Sequence, residues 1–312
     1  MMRFFAHFLA LCALLSCPLL LSGQVVSPRA EPDMMSREPV PAAPHRPERQ
    51  VLPPFSRVTP MAQRPAVVGA REATQGVMAV CSQADGGYDF YLHTPASYDP
   101  QGEPSPVVVF LHGASLCGGD MSRARRYGTL DALRRGRDIP AIVVAPHNGG
   151  GAWRPQRVMA DIDWVLSHYN ADADRIYIIG MSLGGYGTMD VVRAYPERFA
   201  AAMAICGGCS SDDVQPLSTV PLWILHGTAD RAVSISQSKR VVTALQQAGT
   251  ADLLRYDWLP GIDHGRPARL FYLRKTYDWL LRHSRATQPA TIDRTISITV
   301  ADLNNAYEGL HR

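Results

Sequence analysis

Apolar residues along this chain follow two alternating rhythms. The runs "PVVVFLHG" (106–113), "AIVVAPH" (141–147), "RIYIIG" (175–180), "AAMAICGG" (201–208) and "PLWILHG" (221–227) are short and nearly continuous. That is the pattern of strands buried on both faces. Between them, Val158, Ile162, Val165, Leu166 and Tyr169 recur at helical spacing. "GGYGTMDVVRAYPERF", "SQSKRVVTALQQAG" and "ARLFYLRKTYDWLLRH" predict further helices, the last of them closing the core pattern. "YDFYLHTP" alternates like an early, half-exposed strand, and "LLRYDWLPG" adds a late one. Strands alternating with helices predict an α/β fold, a mostly parallel central sheet with helices on both faces. Ligand sites in such sheets lie beyond the C-terminal ends of the strands.

Both ends of the chain lack this rhythm. Residues 1–23 have the layout of a secretory signal: Arg3, an apolar stretch from Phe4 to Leu21, then Ser22-Gly23. The alternatives are a membrane anchor, which His7 and Pro18 interrupt, and a lipid anchor at Cys17, which no polar tether follows. Residues 24–66 are studded with proline and predict an extended or disordered linker. The globular domain is expected over 67–284, and 285–312 is a C-terminal tail whose "TISITV" either adds an edge strand or stays loose.

Composition narrows the class of function. A chain of 312 residues with a net charge of +3, Lys239 and Lys275 as its only lysines and no block of like charge gives little support for nucleic acid or an anionic membrane as partner. Outside the leader the cysteines are Cys81, Cys117, Cys206 and Cys209. In an exported protein these allow up to two disulfides. "CGGC" (206–209) also resembles a redox pair or half a zinc site, but no second CxxC completes one, so structural cysteines are the favoured reading.

The chemistry gathers at predicted strand ends. "Gly180-Met181-Ser182-Leu183-Gly184" is G-x-S-x-G between a strand and a helix, the context in which that motif projects a nucleophilic serine. Ser182 needs a base and an oriented acid. Asp230, three residues past the glycine that closes the run 221–227, is the acid candidate; Asp212 and Asp213 are its rivals. His264, in the loop between the last strand and the last helix, is the base candidate by elimination among the ten histidines. His112 and His226, each before a glycine at a strand end, read as loop-shaping. The backbone amides of Ala114 and Leu183 are placed to serve a tetrahedral oxyanion. Trp153, in the glycine-rich loop "APHNGGGAWRPQ", either walls a substrate pocket or packs under that loop.

Together "FLHGAS", "GMSLGGYGTMDVVRAYPERFAAAMAICGG", "ILHGTADRAVSISQS" and "GIDHG" resemble the alpha/beta-hydrolase superfamily over roughly Gly76 to Arg282. They look most like secreted bacterial carboxylesterases related to dienelactone-hydrolase-like, prolyl-oligopeptidase-like and feruloyl-esterase-like enzymes. The resemblance implies Ser182 as nucleophile, His264 as general base, Asp230 as orienting acid, and Ala114 and Leu183 as oxyanion donors. Where the polyhydroxyalkanoate and feruloyl branch often carries "HGC", this chain has Ala114 after His112-Gly113, a departure that weighs against those substrates. No insertion long enough for a large lid is visible, which suggests an open site for short acyl esters. The expectation is an exported serine hydrolase of carboxylic esters, with no metal or organic cofactor, a small-molecule ester as its partner, and no membrane insertion after removal of the leader. The rivals are a prolyl-oligopeptidase-type peptidase and a non-catalytic binding protein on the same fold.

Overall fold

In the computed structural model, which describes residues 78–81 and 86–311, each of the five short apolar runs between 106 and 227 becomes a strand of one sheet. The strands are β1 (Met78–Cys81), β2 (Phe90–His93), β3 (Ser105–Leu111), β4 (Ile142–Pro146), β5 (Ala171–Met181), β6 (Ala201–Ile205), β7 (Leu222–Gly227) and β8 (Leu254–Leu259). Their order is β1-β2-β4-β3-β5-β6-β7-β8. The β1–β2 and β2–β4 pairs are antiparallel and all the others parallel. The apolar pattern did not mark β1. The expected leader and linker lie outside the described residues.

Six helices accompany the sheet among the described residues: α1 (Thr129–Arg134), α2 (Pro155–His168), α3 (Leu183–Ala194), α4 (Ser236–Gln247), α5 (Arg274–Leu280) and α6 (Val300–Asn304). Strand side chains alternate between the two faces, and the core divides accordingly. Val107, Val109, Ile176, Ile178 and Ile224 pack with Val158 and Ile162 of α2, Met189 and Val192 of α3, and Val241 and Leu245 of α4. On the other face Val108, Phe110, Tyr177, Ile179 and Trp223 pack with Leu130 of α1 and with Tyr277, Trp279 and Leu280 of α5. Both faces of the central strands are therefore sealed, which is why those runs show no polar alternation.

Two elements depart from the sequence expectation. The single closing amphipathic helix is broken into a 3-10 segment, Arg266–Tyr272, and α5, with Leu273 extended between them (φ −85°, ψ 130°). Leu270, Phe271, Tyr272 and Leu273 are four consecutive buried residues. At 100° per residue one straight helix cannot turn all four to the same face, and the break lets them all reach the core.

The stretch 285–311 is neither an edge strand nor a loose tail. Ile292, Ile298, Leu303 and Ala306 are buried in the core beside α5. The Ile292 amide donates to the Asp252 carbonyl (2.9 Å), Arg255 Nη1 to the Ile296 carbonyl (2.6 Å) and Arg294 Nη2 to the Leu254 carbonyl (3.1 Å). These contacts cover β8, the outermost strand, where unpaired backbone groups would otherwise face solvent. The segment ends in α6, whose first turn carries a capping box between Thr299 and Asp302.

Candidate active site

The turn at Ser182 is built by close backbone approach. β5 runs beside β3 and β6, and α3 starts immediately after Ser182. A methyl group on Gly184 would overlap the Leu111 carbonyl, and one on Gly180 would overlap the Gly184 carbonyl. Only glycine lets the helix start this close to the strand ends. The cost is concentrated on Ser182, at φ 59° and ψ −120°, a region L-residues seldom occupy. Its amide is fixed by the Ile205 carbonyl (2.8 Å), and its hydroxyl is left projecting over the sheet edge.

Two loops bring the other candidates to that hydroxyl. His264 Nε2 lies 3.0 Å from Ser182 Oγ, and its Nδ1 lies 2.6 Å from Asp230 Oδ2. The Asp230 side chain is completely buried, whereas His264 stays about a quarter exposed, at 26%. Asp230 Oδ1 accepts the amides of Ala232 and Val233, each at 2.9 Å. Burial by itself would raise the Asp230 pKa. The bonds from His264 and from the Val233 and Ala232 amides outweigh it, and the carboxyl sits below its ordinary range. The two loops are stitched together by Ala229 N–H to the Ile262 carbonyl (3.0 Å) and Gly261 N–H to Thr228 Oγ1 (2.9 Å).

The rival acids lie elsewhere. Asp212 is exposed and pairs with Arg240 (2.6 Å), and Asp213 accepts the Gln215 amide.

Ala114 opens a 3-10 turn directly after β3, and Leu183 opens α3. First-turn amides have no acceptor within their own helix, and among the described residues neither N–H has a hydrogen-bond partner. His112 shapes the turn, as its position before glycine suggested. The Asn148 amide donates to its Nε2 (3.0 Å), so the proton is on Nδ1, which donates to the Gly113 carbonyl (2.9 Å). Burial pushes the His112 pKa down to about 4 against the opposing pull of the Gly113 bond, and His147 beside it adds to the shift.

A cavity of about 450 Å³ opens over Ser182, walled by Ala114, Tyr127, Met181, His264 and Ala268. Trp153 is not among its walls. It is 3% exposed, its Nε1–H donates to the His112 carbonyl (3.2 Å), and its ring packs edge-on against Tyr88 and His112. The expectation that Trp153 binds substrate is therefore corrected: burying the indole gives its N–H a carbonyl partner and supports the turn from below. The aromatic at the cavity is Tyr127, whose hydroxyl lies 2.8 Å from Ser115 Oγ. No spacing in the sequence signalled it. A second, more open cavity of about 630 Å³ lies on the other flank of His264, between the Asp230 loop and Asp263, with Arg231 in its wall.

Cys117, Cys206 and Cys209 are free thiols, so no disulfide joins them; the Cys81 side chain lies outside the described residues. Burial pushes the Cys206 and Cys209 thiols up to about 12 and about 11, far from the depressed values of redox pairs. Cys206, His226 and Asp230 offer atoms within 4.8 Å of one another, but the Asp230 oxygens and both His226 nitrogens already have protein partners.

Comparison with known proteins gives a consistent set of likenesses. The model of the prolyl oligopeptidase family matches residues 144–211, from within β4 to just past β6, and so takes in Ser182. Acetylxylan esterase A of Emericella nidulans is 37% identical over 75 residues, 23% of this chain and 24% of that protein. The putative esterase NocK of Nocardia uniformis is 25% identical over 219 residues, covering 64% of this chain and 59% of NocK. The chain thus spans between a quarter and three fifths of the length of these relatives. A thermostable esterase of known structure superposes with a TM-score of 0.57 at 28% identity, covering 67% of this chain and 63% of that one.

Proposed function

From the premise that the chain is a member of the alpha/beta-hydrolase superfamily, as its strand order and likenesses make it, we propose that it is a serine hydrolase acting on carboxylic esters. The observation that carries this reading is the unbroken relay from Ser182 Oγ through His264 to Asp230, at 3.0 Å and 2.6 Å. In the proposed reaction Ser182 Oγ attacks the ester carbonyl carbon and His264 Nε2 takes the hydroxyl proton. Asp230 holds Nδ1–H and stabilises the imidazolium. The carbonyl oxygen, now negative, accepts from the amides of Ala114 and Leu183, each donor contributing about 3 kcal/mol to the barrier reduction. His264 returns the proton to the departing alcohol oxygen, leaving an acyl group on Ser182. Water, deprotonated by the same nitrogen, then releases the acid and restores the serine.

Tyr127 and Ala268 share the walls of the cavity with Ser182, so esters of increasing acyl length gauge how far an acyl group can extend there. The acetylxylan esterases among the relatives suggest acetyl as the first acyl group to try. Amide hydrolysis is the second reading. It is favoured by the prolyl oligopeptidase match, which stops before Asp230 and His264.

We further propose that residues 1–23 direct export and are removed, that 24–66 form a linker, and that the catalytic domain begins at 67. Among the described residues no helix is long and apolar enough to cross a membrane. The test uses chain lacking the leader, assayed on p-nitrophenyl esters of increasing acyl length beside a proline-containing chromogenic amide. Turnover of the acetyl ester, lost in Ser182→Ala, is expected. Turnover of the amide alone would move the reading to a peptidase. Turnover of neither, with no fluorophosphonate labelling, would leave a binding protein.

A further inference from the structure

Asp230 is approached by a second histidine. His226, near the end of β7, is fully buried, and its Nε2 lies 3.3 Å from Asp230 Oδ2, the oxygen that faces His264. The same nitrogen lies 3.0 Å from the Val233 carbonyl oxygen. Both atoms are acceptors, so Nε2 carries a proton and Val233 is its main acceptor. The peptide groups of Val233 therefore connect the two side chains: its N–H donates to Asp230 Oδ1 at 2.9 Å, while its C=O accepts from His226.

On its far side the imidazole is fixed as well. Nδ1 lies 2.7 Å from Ser238 Oγ on α4, and that hydroxyl lies 2.7 Å from the Gly207 carbonyl; Ser238 is itself fully buried. His226 thus ties the Asp230 loop to β7 and α4 from a fully buried position.

The consequence for chemistry follows from the demands on Asp230. Its carboxylate must stay in place while His264 changes from neutral to charged and back. A buried carboxylate can rotate, and rotation by a few tenths of an ångström at Oδ2 tips the imidazole away from Ser182. The loop itself is short and solvent-facing, with Arg231 and Ala232 exposed. The Ala232 and Val233 amides both hold Oδ1, at 2.9 Å each, but Ala232 is exposed, and of the two it is Val233 whose carbonyl is tied to a buried side chain, that of His226.

Building on the ester-hydrolase reading above, we propose that His226 is a positioning residue for the reaction: it holds Asp230 through Val233 and by direct approach to Oδ2, so that His264 stays aimed at Ser182. His226 does not touch substrate and exchanges no proton with it. Its effect is expressed on the chemical step and not on substrate binding.

The experiment compares wild type, His226→Leu and His226→Gln on p-nitrophenyl acetate, each concentration set by active-site titration with a fluorophosphonate. Glutamine can place an N–H donor close to where Nε2 stands; leucine fills the space without one. His226→Leu is expected to lower kcat by on the order of 10- to 100-fold with KM within about twofold, the size of loss that small misplacements of catalytic groups produce. His226→Gln is expected to recover most of that loss. Equal kcat for Leu and Gln, or a loss that vanishes once rates are divided by titrated sites, would overturn the positioning role. So would a loss expressed in KM alone. If wild type neither turns over the ester nor reacts with the fluorophosphonate, the underlying reading of the site fails and takes this inference with it.

Discussion

The serine side and the base side of the site are held in place by different means. Ser182, Leu183 and Ala114 sit on backbone whose path is set by nearest neighbours: β3, β5 and β6 side by side, with Gly180 and Gly184 admitting carbonyl groups where no methyl fits. His264 sits on a loop whose support comes from far along the chain. Two residues on, Arg266 Nη2 donates to Asn304 Oδ1 (2.8 Å), and Arg269 Nη1 donates to the Leu303 carbonyl (3.1 Å). Lys275 pairs with Asp302 (2.7 Å), and Tyr272 donates to the buried Asp131 (2.7 Å). Arg135 and Arg269 both lie against the Tyr307 ring. Backbone approach leaves no freedom to adjust, whereas a side-chain brace can be weakened in steps. The serine half is therefore expected to fail all at once and the base half by degrees.

The most severe test is Ser182→Ala, expected to lower kcat by roughly a millionfold while the fold survives, since alanine relieves nothing in the backbone turn. Retention of substantial ester turnover would place the nucleophile elsewhere and end the contrast. Asp230→Asn comes next, with a kcat loss of roughly 10,000-fold as the amide orients His264 in the wrong tautomer. Stopped-flow or initial-rate assays at neutral pH resolve both.

Leu303→Ala probes the brace directly. Leu303 is fully buried, so the variant is expected to lose about 2–5 kcal/mol of stability in urea titration and to lose kcat as the His264 loop slackens. Lower stability with wild-type kcat per titrated site would show that the base loop does not depend on the C-terminal segment.

His112 tests the serine half through pH. Its folded pKa of about 4 lies below the ordinary 6.5, so between these values the unfolded chain binds more protons than the native one. Stability from this group is complete above pH 6.5 and declines as pH falls toward about 4. His112→Gln should flatten that part of a Tm-against-pH curve, and an unchanged slope would assign the acid loss to other groups.

Tyr127→Phe is expected to have the smallest effect. Removing one hydroxyl partner of Ser115 at the cavity changes kcat/KM by less than about tenfold, and more for polar acyl groups than for acetyl. A larger loss on acetyl ester would give the hydroxyl a part in the chemistry itself.

Much of the fold was legible because both its signals are local. A run such as Ile176–Ile179 has no room for polar alternation when each face is covered, and the glycines around Ser182 announce a turn that needs them. His264 and Asp230 could be nominated from chain order and strand ends. The distances of 3.0 Å and 2.6 Å that join them to Ser182 could not, because they depend on two loops stitched together across 34 residues.

Trp153 marks the limit in the other direction. Spacing says that an aromatic follows a glycine-rich loop, not which side of the loop it takes. Its indole N–H found a carbonyl beneath the turn, while Tyr127, preceded only by a run of arginines, came to the cavity. The segment after α5 is the same lesson at larger scale. "TISITV" reads as a strand by propensity, yet Ile292, Ile298 and Leu303 are buried against α5 and β8, and the backbone follows those contacts.

The sequence by itself determined the α/β sheet, the strained serine turn and the residue types gathered at the strand ends, since periodicity and glycine sterics act between neighbours. The tertiary structure alone decided which aromatic faces the cavity, that the C-terminal segment meets the stretch just after His264, and that a second histidine stands behind Asp230. Each of these depends on packing between positions tens of residues apart, where side-chain burial and hydrogen-bond partners, not spacing, select the outcome.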